Sequence, residues 1–110
     1  MKSSKKKRLE AAGWKFGTTK EFLNLSEDEV ELIEMRLLLA ENLRLRRQSL
    51  DLTQHQLASR LGSSQSRVAK MEAAHRSVSI DLLVRSLLVL GATRKEVGRI
   101  ICKASTAPVA

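Results

Sequence analysis

From residue 26 onward, apolar side chains recur at the three- and four-residue spacing of a helix face, punctuated by residues that start or stop helices. Val30, Ile33 and Leu37, then Leu39, Leu43 and Leu50, mark the stripes of a first helix that opens at Ser26 and can run to about Ser49. Ser26 followed by Glu29 is a capping box: each side chain satisfies the other residue's backbone N–H. The acids at Glu27, Asp28 and Glu29 also suit the positive end of the helix dipole. Such a helix is longer than the roughly 11–12 residues usual in globular proteins. Two outcomes are open: a break near Ala40–Asn42, or a first half that reaches beyond the core. Thr53 with Gln56 opens a second helix, which Leu61 ends and Gly62 stops in a left-handed conformation. Ser64 caps a third helix through about Ala73, and residues 73–79 read as a loop. Ser79 caps a fourth, Ile80 to Leu90, ended by Gly91; Thr93 with Glu96 caps a fifth, to about Ile101. The chain's single proline, Pro108, lies beyond all of these. The expected fold class is all-α, a five-helix bundle.

The second and third helices are each about eight residues long and joined by a short turn containing a glycine, the proportions of a helix-turn-helix unit. In "LTQHQLASRLGSSQSRVAKME", Leu52 to Glu72, the apolar set Leu57, Leu61, Val68 and Met71 holds the two helices at a fixed angle. Ala58 is small where the third helix must cross close by, and Gly62 reverses the chain at positive φ without a Cβ clash. Left outside that register are Gln65, Ser66, Ala69 and Lys70, with Gln54 at the start of the preceding helix. In this geometry the outer face of the third helix enters a DNA major groove. Its side chains match what a groove presents: glutamine pairs with adenine, lysine reaches guanine O6 and N7, serine serves either, and alanine touches a thymine methyl. Acid, which phosphate repels, is nearly absent there.

At these residues the sequence resembles the Cro/lambda-repressor (XRE) family of helix-turn-helix regulators, over about residues 43–92. The resemblance implies a lambda-repressor-like helix-turn-helix in a sequence-specific, duplex-DNA-binding transcriptional repressor that acts as a homodimer. Carried over position by position, it implies that Gln54 contacts phosphate and buttresses Gln65. It assigns base reading to Gln65, Ser66 and Lys70, and phosphate holding to Arg67. It also implies a structural ion pair between Arg47 and Glu72, which accounts for the one acid in the stretch. Ser63 departs from the family pattern, where an apolar residue is commoner. The flanks, "GWKFGTTKEFLNLSEDE" and "SVSIDLLVRSLLVLGAT", are similar to those of small stand-alone antitoxins of the HigA kind. That likeness implies an autoregulating antitoxin whose partner is an mRNA-cleaving toxin of the RelE/HigB type. A repressor without a toxin partner, or a chain that is mainly a protein-interaction module, remain the alternatives.

Charge sharpens this picture. The 110 residues suit one domain and carry a net charge of +8, unevenly placed. Residues 1–26 carry +5, residues 27–41 carry −5, residues 42–76 carry +5 and residues 77–110 carry +3. The stretch expected to face the groove thus lies in a basic block, as a polyanion partner requires, and the acid is gathered on the first helix. His75 and Arg76, in the loop after the third helix, are candidates for phosphate contact or for plain exposure. The run Lys5–Arg8 is either an arm along the DNA or a solvated tail. An acidic segment suits a basic partner, so Trp14, Phe16, Val30, Ile33 and Leu37 are candidate partner-binding residues for a toxin or a second copy. Local packing is the simpler reading of each. Val97, Ile100 and Ile101 are candidates for a dimer seam.

The expected organisation is a basic arm and Trp-containing segment over 1–25, the helical DNA-binding domain over 26–101, and a flexible tail over 102–110. The lone Cys102 cannot form an internal disulfide, and the lysine-rich start lacks the apolar run of a signal peptide. No stretch approaches the ~18–20 apolar residues of a membrane span. These features fit a cytoplasmic protein with no membrane association. His55 and His75 have no second ligand at metal-binding spacing. No phosphate loop, CxxC pair or nucleophile–base set is present in the sequence, so neither an enzyme nor a cofactor is expected.

Overall fold

The computed structural model describes residues 26–103. Trp14, Phe16 and the Lys5–Arg8 run lie outside the described residues, as do residues 104–110. Five helices follow one another: α1 Glu27–Ser49, α2 Gln54–Leu61, α3 Gln65–Glu72, α4 Ile80–Val89 and α5 Arg94–Cys102. Helix α1 is the spine, packing against α3, α4 and α5, while α2 packs on α3 and touches α4.

Local chemistry starts each helix. Ser26, Thr53, Ser64, Ser79 and Thr93 all hold extended backbone at the N-cap and accept a bond from the N–H three residues on. At Ser26, Thr53 and Thr93 the reciprocal bond is present too, so all three capping boxes close. Each such cap contributes about 1 kcal/mol. The C-termini are equally regular. After α2, Gly62 sits at φ 64°, its N–H donating to Ser59 O and that of Ser63 to Ala58 O, the paired bonds of a Schellman motif. Gly91 ends α4 in the same way, its N–H donating to Leu88 O and that of Ala92 to Leu87 O.

Two further helices use this motif without glycine. Asp51 (φ 56°) closes α1 and Ala74 (φ 57°) closes α3. At both sites the next residue's N–H reaches back five positions, Leu52 to Arg47 O and His75 to Lys70 O. A Cβ in the left-handed region costs about 1–2 kcal/mol. At Ala74 the burial of the residue offsets that cost, since it is fully enclosed in the core.

Helix α1 does not break. Leu39, Ala40 and Leu43 are all fully buried, so the segment around residue 40 is the part of α1 most enclosed by the other helices. Asn42 bonds back to Leu38 O within the helix. Nor does the first half wholly leave the core. Ile33 and Leu37, candidates for partner binding as well as for the core, belong to the buried cluster at 4% and 7% exposure and so do not form a free partner surface. The large apolar side chains that α1 does expose are Leu32 and Leu45, with Val30 half-buried. Val97 is likewise core rather than seam, and Ile100 and Ile101 pack partly against it. Cys102 is exposed on the last turn of α5, so the helix extends one residue past its expected end. Ser86, fully buried on α4, satisfies its hydroxyl by donating to Leu82 O at 2.7 Å. Among the described residues no helix is long and apolar enough to cross a membrane.

Candidate nucleic-acid interface

The angle between α2 and α3 follows from three features already present locally. Gly62 turns the chain, Ser64 restarts it by accepting the Arg67 N–H at 3.2 Å, and an apolar wedge locks the pair. Leu57, Ala58, Val68 and Met71 are all buried in that wedge, and Leu61 packs partly against it. Val68 and Met71, three positions apart, fix which side of α3 faces inward. The opposite side therefore carries Gln65, Ser66 and Lys70, all exposed, with Arg67 exposed beside them and Ala69 half-buried. Ser63 is half-buried at the turn, where the Schellman bond from its own N–H fixes the backbone; its polar side chain leaves the turn intact.

Behind this face lies a polar chain that ends in the protein interior. Arg47 on α1 clasps Glu72 on α3 through two bonds, Nε to Oε2 at 2.6 Å and Nη2 to Oε1 at 3.0 Å. The side chains are 12% and 4% exposed. The remaining arm of the guanidinium donates to Leu52 O at 2.7 Å, tying the α1–α2 connection to the same point. Glu72 sits at the negative end of the α3 dipole, where a carboxylate is disfavoured; the bidentate arginine compensates for that placement. Gln54 donates from Nε2 to Glu72 Oε1 at 3.0 Å, and its own Oε1 accepts from Gln65 Nε2 at 2.7 Å. The family resemblance implies the pairing of Arg47 with Glu72 and of Gln54 with Gln65, but gives no sign that Gln54 joins the two pairs.

Around α3 the surface is basic. Glu72 is the one acid between Leu52 and Ile80, and it is buried and paired. A groove lined by Ser64, Ser66, Arg67, Lys70, Ser77 and Val78 runs beside the helix. Ser77 is a hydroxyl that the sequence pattern did not single out, because its proximity to Ser66 and Lys70 depends on how the 73–79 loop folds back. The loop is pinned by His75, whose Nδ1 accepts from the Ser77 N–H at 3.1 Å and also contacts the Ser77 hydroxyl at 2.8 Å. The imidazole is half-buried by this arrangement, while Arg76 is exposed. Among the described residues no cluster of His, Cys, Asp or Glu could hold a metal ion.

This geometry defines a helix-turn-helix with a basic, hydrogen-bonding outer face. Residues 43–97 match the family model described as Helix-turn-helix, of the Cro/C1 type in the XRE family. The match covers half of the chain, and the chain belongs to that family, one of DNA-binding transcription regulators. No curated protein and no solved structure matches it.

Proposed function

We propose that this chain is a sequence-specific repressor that lays α3 in the major groove of duplex DNA. The observation that carries the reading is the side of α3 opposite buried Val68 and Met71, where exposed Gln65, Ser66 and Lys70 form one edge. Gln65, Ser66 and Lys70 read bases, and Ala69 approaches a thymine methyl from the same edge. Gln54, Arg67, His75 and Arg76 hold phosphate on either side. The chain acts in the cytoplasm as a homodimer, with half-sites about one helical turn apart.

Selection of duplexes from a random pool tests this. The wild-type chain enriches a palindromic site, and the double variant Gln65→Ala/Ser66→Ala stays folded but loses discrimination by roughly 1–3 kcal/mol per bidentate contact removed. Binding weakens steeply with salt, with about 0.9 counterions released per neutralised phosphate. Unchanged selectivity in the double variant would rule out α3 as the reading helix.

A second role is favoured by the acidic first half of α1, where residues 27–41 carry −5 and Leu32 stands exposed. We infer that this segment, with Trp14 and Phe16 ahead of it, binds a basic toxin of the RelE/HigB type, and that DNA binding is the autoregulatory half of an antitoxin. Charge complementarity supports it. Co-expression decides: a folded chain that lacks residues 1–25 and carries Glu31→Lys and Leu32→Asp, both at exposed positions of α1, and still protects cells from such a toxin places the contact elsewhere.

A further inference from the structure

We propose that the outward stripe of α4 is the surface through which two copies of this chain pair. This rests on the homodimer of the proposed function and names its seam, which the burial of Val97 leaves open.

Helix α4 has two unlike sides. Leu83, Ser86 and Leu87, with Leu90 at the C-cap, are buried against the core. Asp81, Val84, Arg85 and Leu88 stand at the i, i+3, i+4 and i+7 positions of the opposite face. Asp81 and Arg85 are exposed and Val84 is half-buried. Leu88 is 46% exposed and its neighbour Val89 44%, so two large apolar side chains face water on one turn. A lone exposed leucine is ordinary, whereas an adjacent apolar pair beside two charges has the make-up of a contact surface.

Charge decides what covers it. Asp81 and Arg85 are four residues apart, a spacing at which an acid and a following base can pair along their own helix. They do not: among the described residues neither is in an ion pair. A uniformly acidic or uniformly basic partner would satisfy one of the two charges and leave the other desolvated beside its like, which is costly. A second copy satisfies both. Two helices packed across a perpendicular two-fold axis run antiparallel, and the same patch meets itself. Each Asp81 is then brought within reach of the other copy's Arg85, and the Val84 and Leu88 side chains close between them. The stripe borders Arg67 of α3 across a shared groove, so the seam forms beside the reading helix.

The size of the stripe sets its strength. Helix α4 has 10 residues. At about 1.5 Å per residue it offers a contact some 15 Å long, smaller than the roughly 1,200–2,000 Å² of a stable interface. The pairing is therefore reversible, and the dimer grows in with protein concentration.

Sedimentation equilibrium of the full chain, without DNA, tests this. Wild type shows a reversible monomer–dimer equilibrium. Asp81→Arg leaves only base on the stripe and Arg85→Asp leaves only acid, so each raises the dimer dissociation constant roughly tenfold or more. An equal mixture of these two variants recovers a dimer, because a basic stripe then meets an acidic one. The exchange Asp81→Arg/Arg85→Asp within one chain recovers it as well. Both positions are exposed, and circular dichroism checks that each variant is folded. Leu88→Asp weakens the dimer, while Leu45→Asp, on the separate groove that α1 shares with Ile100 of α5, leaves it unchanged. Folded single charge variants that dimerise like wild type overturn the proposal, as does a mixture no more dimeric than its parts. A dimer lost in Leu45→Asp but kept in Leu88→Asp moves the seam to α1 and α5 and overturns it too, as does a wild type that stays monomeric at its highest soluble concentration. Base reading by α3 is measured separately, by duplex selection, so failure there and failure here are distinct results.

Discussion

Arg46 and Arg47 are neighbours on α1, and each reaches a glutamate on a different helix. Arg47 holds Glu72 of α3 through two bonds at 2.6 and 3.0 Å, with almost all of both side chains out of water. Arg46 holds Glu96 of α5 through one bond at 3.3 Å, with the side chains 29% and 34% exposed, and also donates to Leu90 O. The chemistry is the same; the solvent is not. At the exposed pair, water screens the attraction and solvates whichever charge is left alone. At the buried pair the attraction is stronger, but so is the cost of desolvating both ions, and the net gain from the pair is small. What the buried pair supplies is intolerance of any other arrangement. It sets the end of α3 relative to α1 and the α1–α2 connection, whereas α5 is held chiefly by its cap and by Val97.

The largest expected effect comes from unpairing the buried site. Glu72→Ala leaves Arg47 charged in a place with little water and should lower unfolding free energy by about 3–5 kcal/mol, read from the denaturant midpoint. The double replacement Arg47→Met/Glu72→Leu removes both charges and fills the space, and should recover most of that loss. A double variant no more stable than Glu72→Ala would show that the pair's attraction outweighs its desolvation. Next in size, Thr93→Ala deletes the α5 cap and should cost about 1 kcal/mol. If it costs as much as Glu72→Ala, α5 and α3 are held by comparable forces, and the contrast between them disappears.

The parts of this molecule that were legible in the sequence are those decided within a few residues. The capping boxes at Ser26, Thr53 and Thr93 need only a hydroxyl and an acid or amide three positions on. Gly62 and Gly91 announce left-handed turns because glycine alone enters that region without strain. The side of α3 occupied by Gln65, Ser66 and Lys70 follows from the spacing of Val68 and Met71. Asp51 and Ala74 take up the same left-handed role unannounced: the flanking backbone bonds hold both, burial adds to the hold on Ala74, and Asp51 is exposed. The continuity of α1 was undecided for a similar reason: a run of apolar residues around Ala40 says that something covers it, not what. The spacing of Ile33 and Leu37 is that of a helix face and does not say whether the core or a partner covers it; the core extends that far and takes both. Gln54's bond to Glu72 spans two helices and an amide orientation, neither of which periodicity encodes.

The smallest effects belong to the exposed pair. Arg46→Gln should destabilise less than Thr93→Ala, and the difference from wild type should shrink further in high salt, because the contact is open to water. The acid limb gives a finer measurement. The Thr93 N–H, and after it the Arg46 guanidinium, hold the Glu96 carboxyl below the usual glutamate range. A carboxylate whose folded value is depressed contributes stability above its unfolded value and loses it as pH falls through the folded one. The N-terminal turn of α5 should therefore loosen on acidification below the ordinary glutamate range, seen as faster amide exchange at Glu96, which donates to the Thr93 hydroxyl. The same midpoint, followed by the Glu96 carboxyl carbon resonance, should rise only part of the way toward normal in Arg46→Gln, because the backbone donor at Thr93 remains. Full return to the ordinary value would make the ion pair, not the cap, the main hold on Glu96, and α5 would then be secured by its arginine much as α3 is.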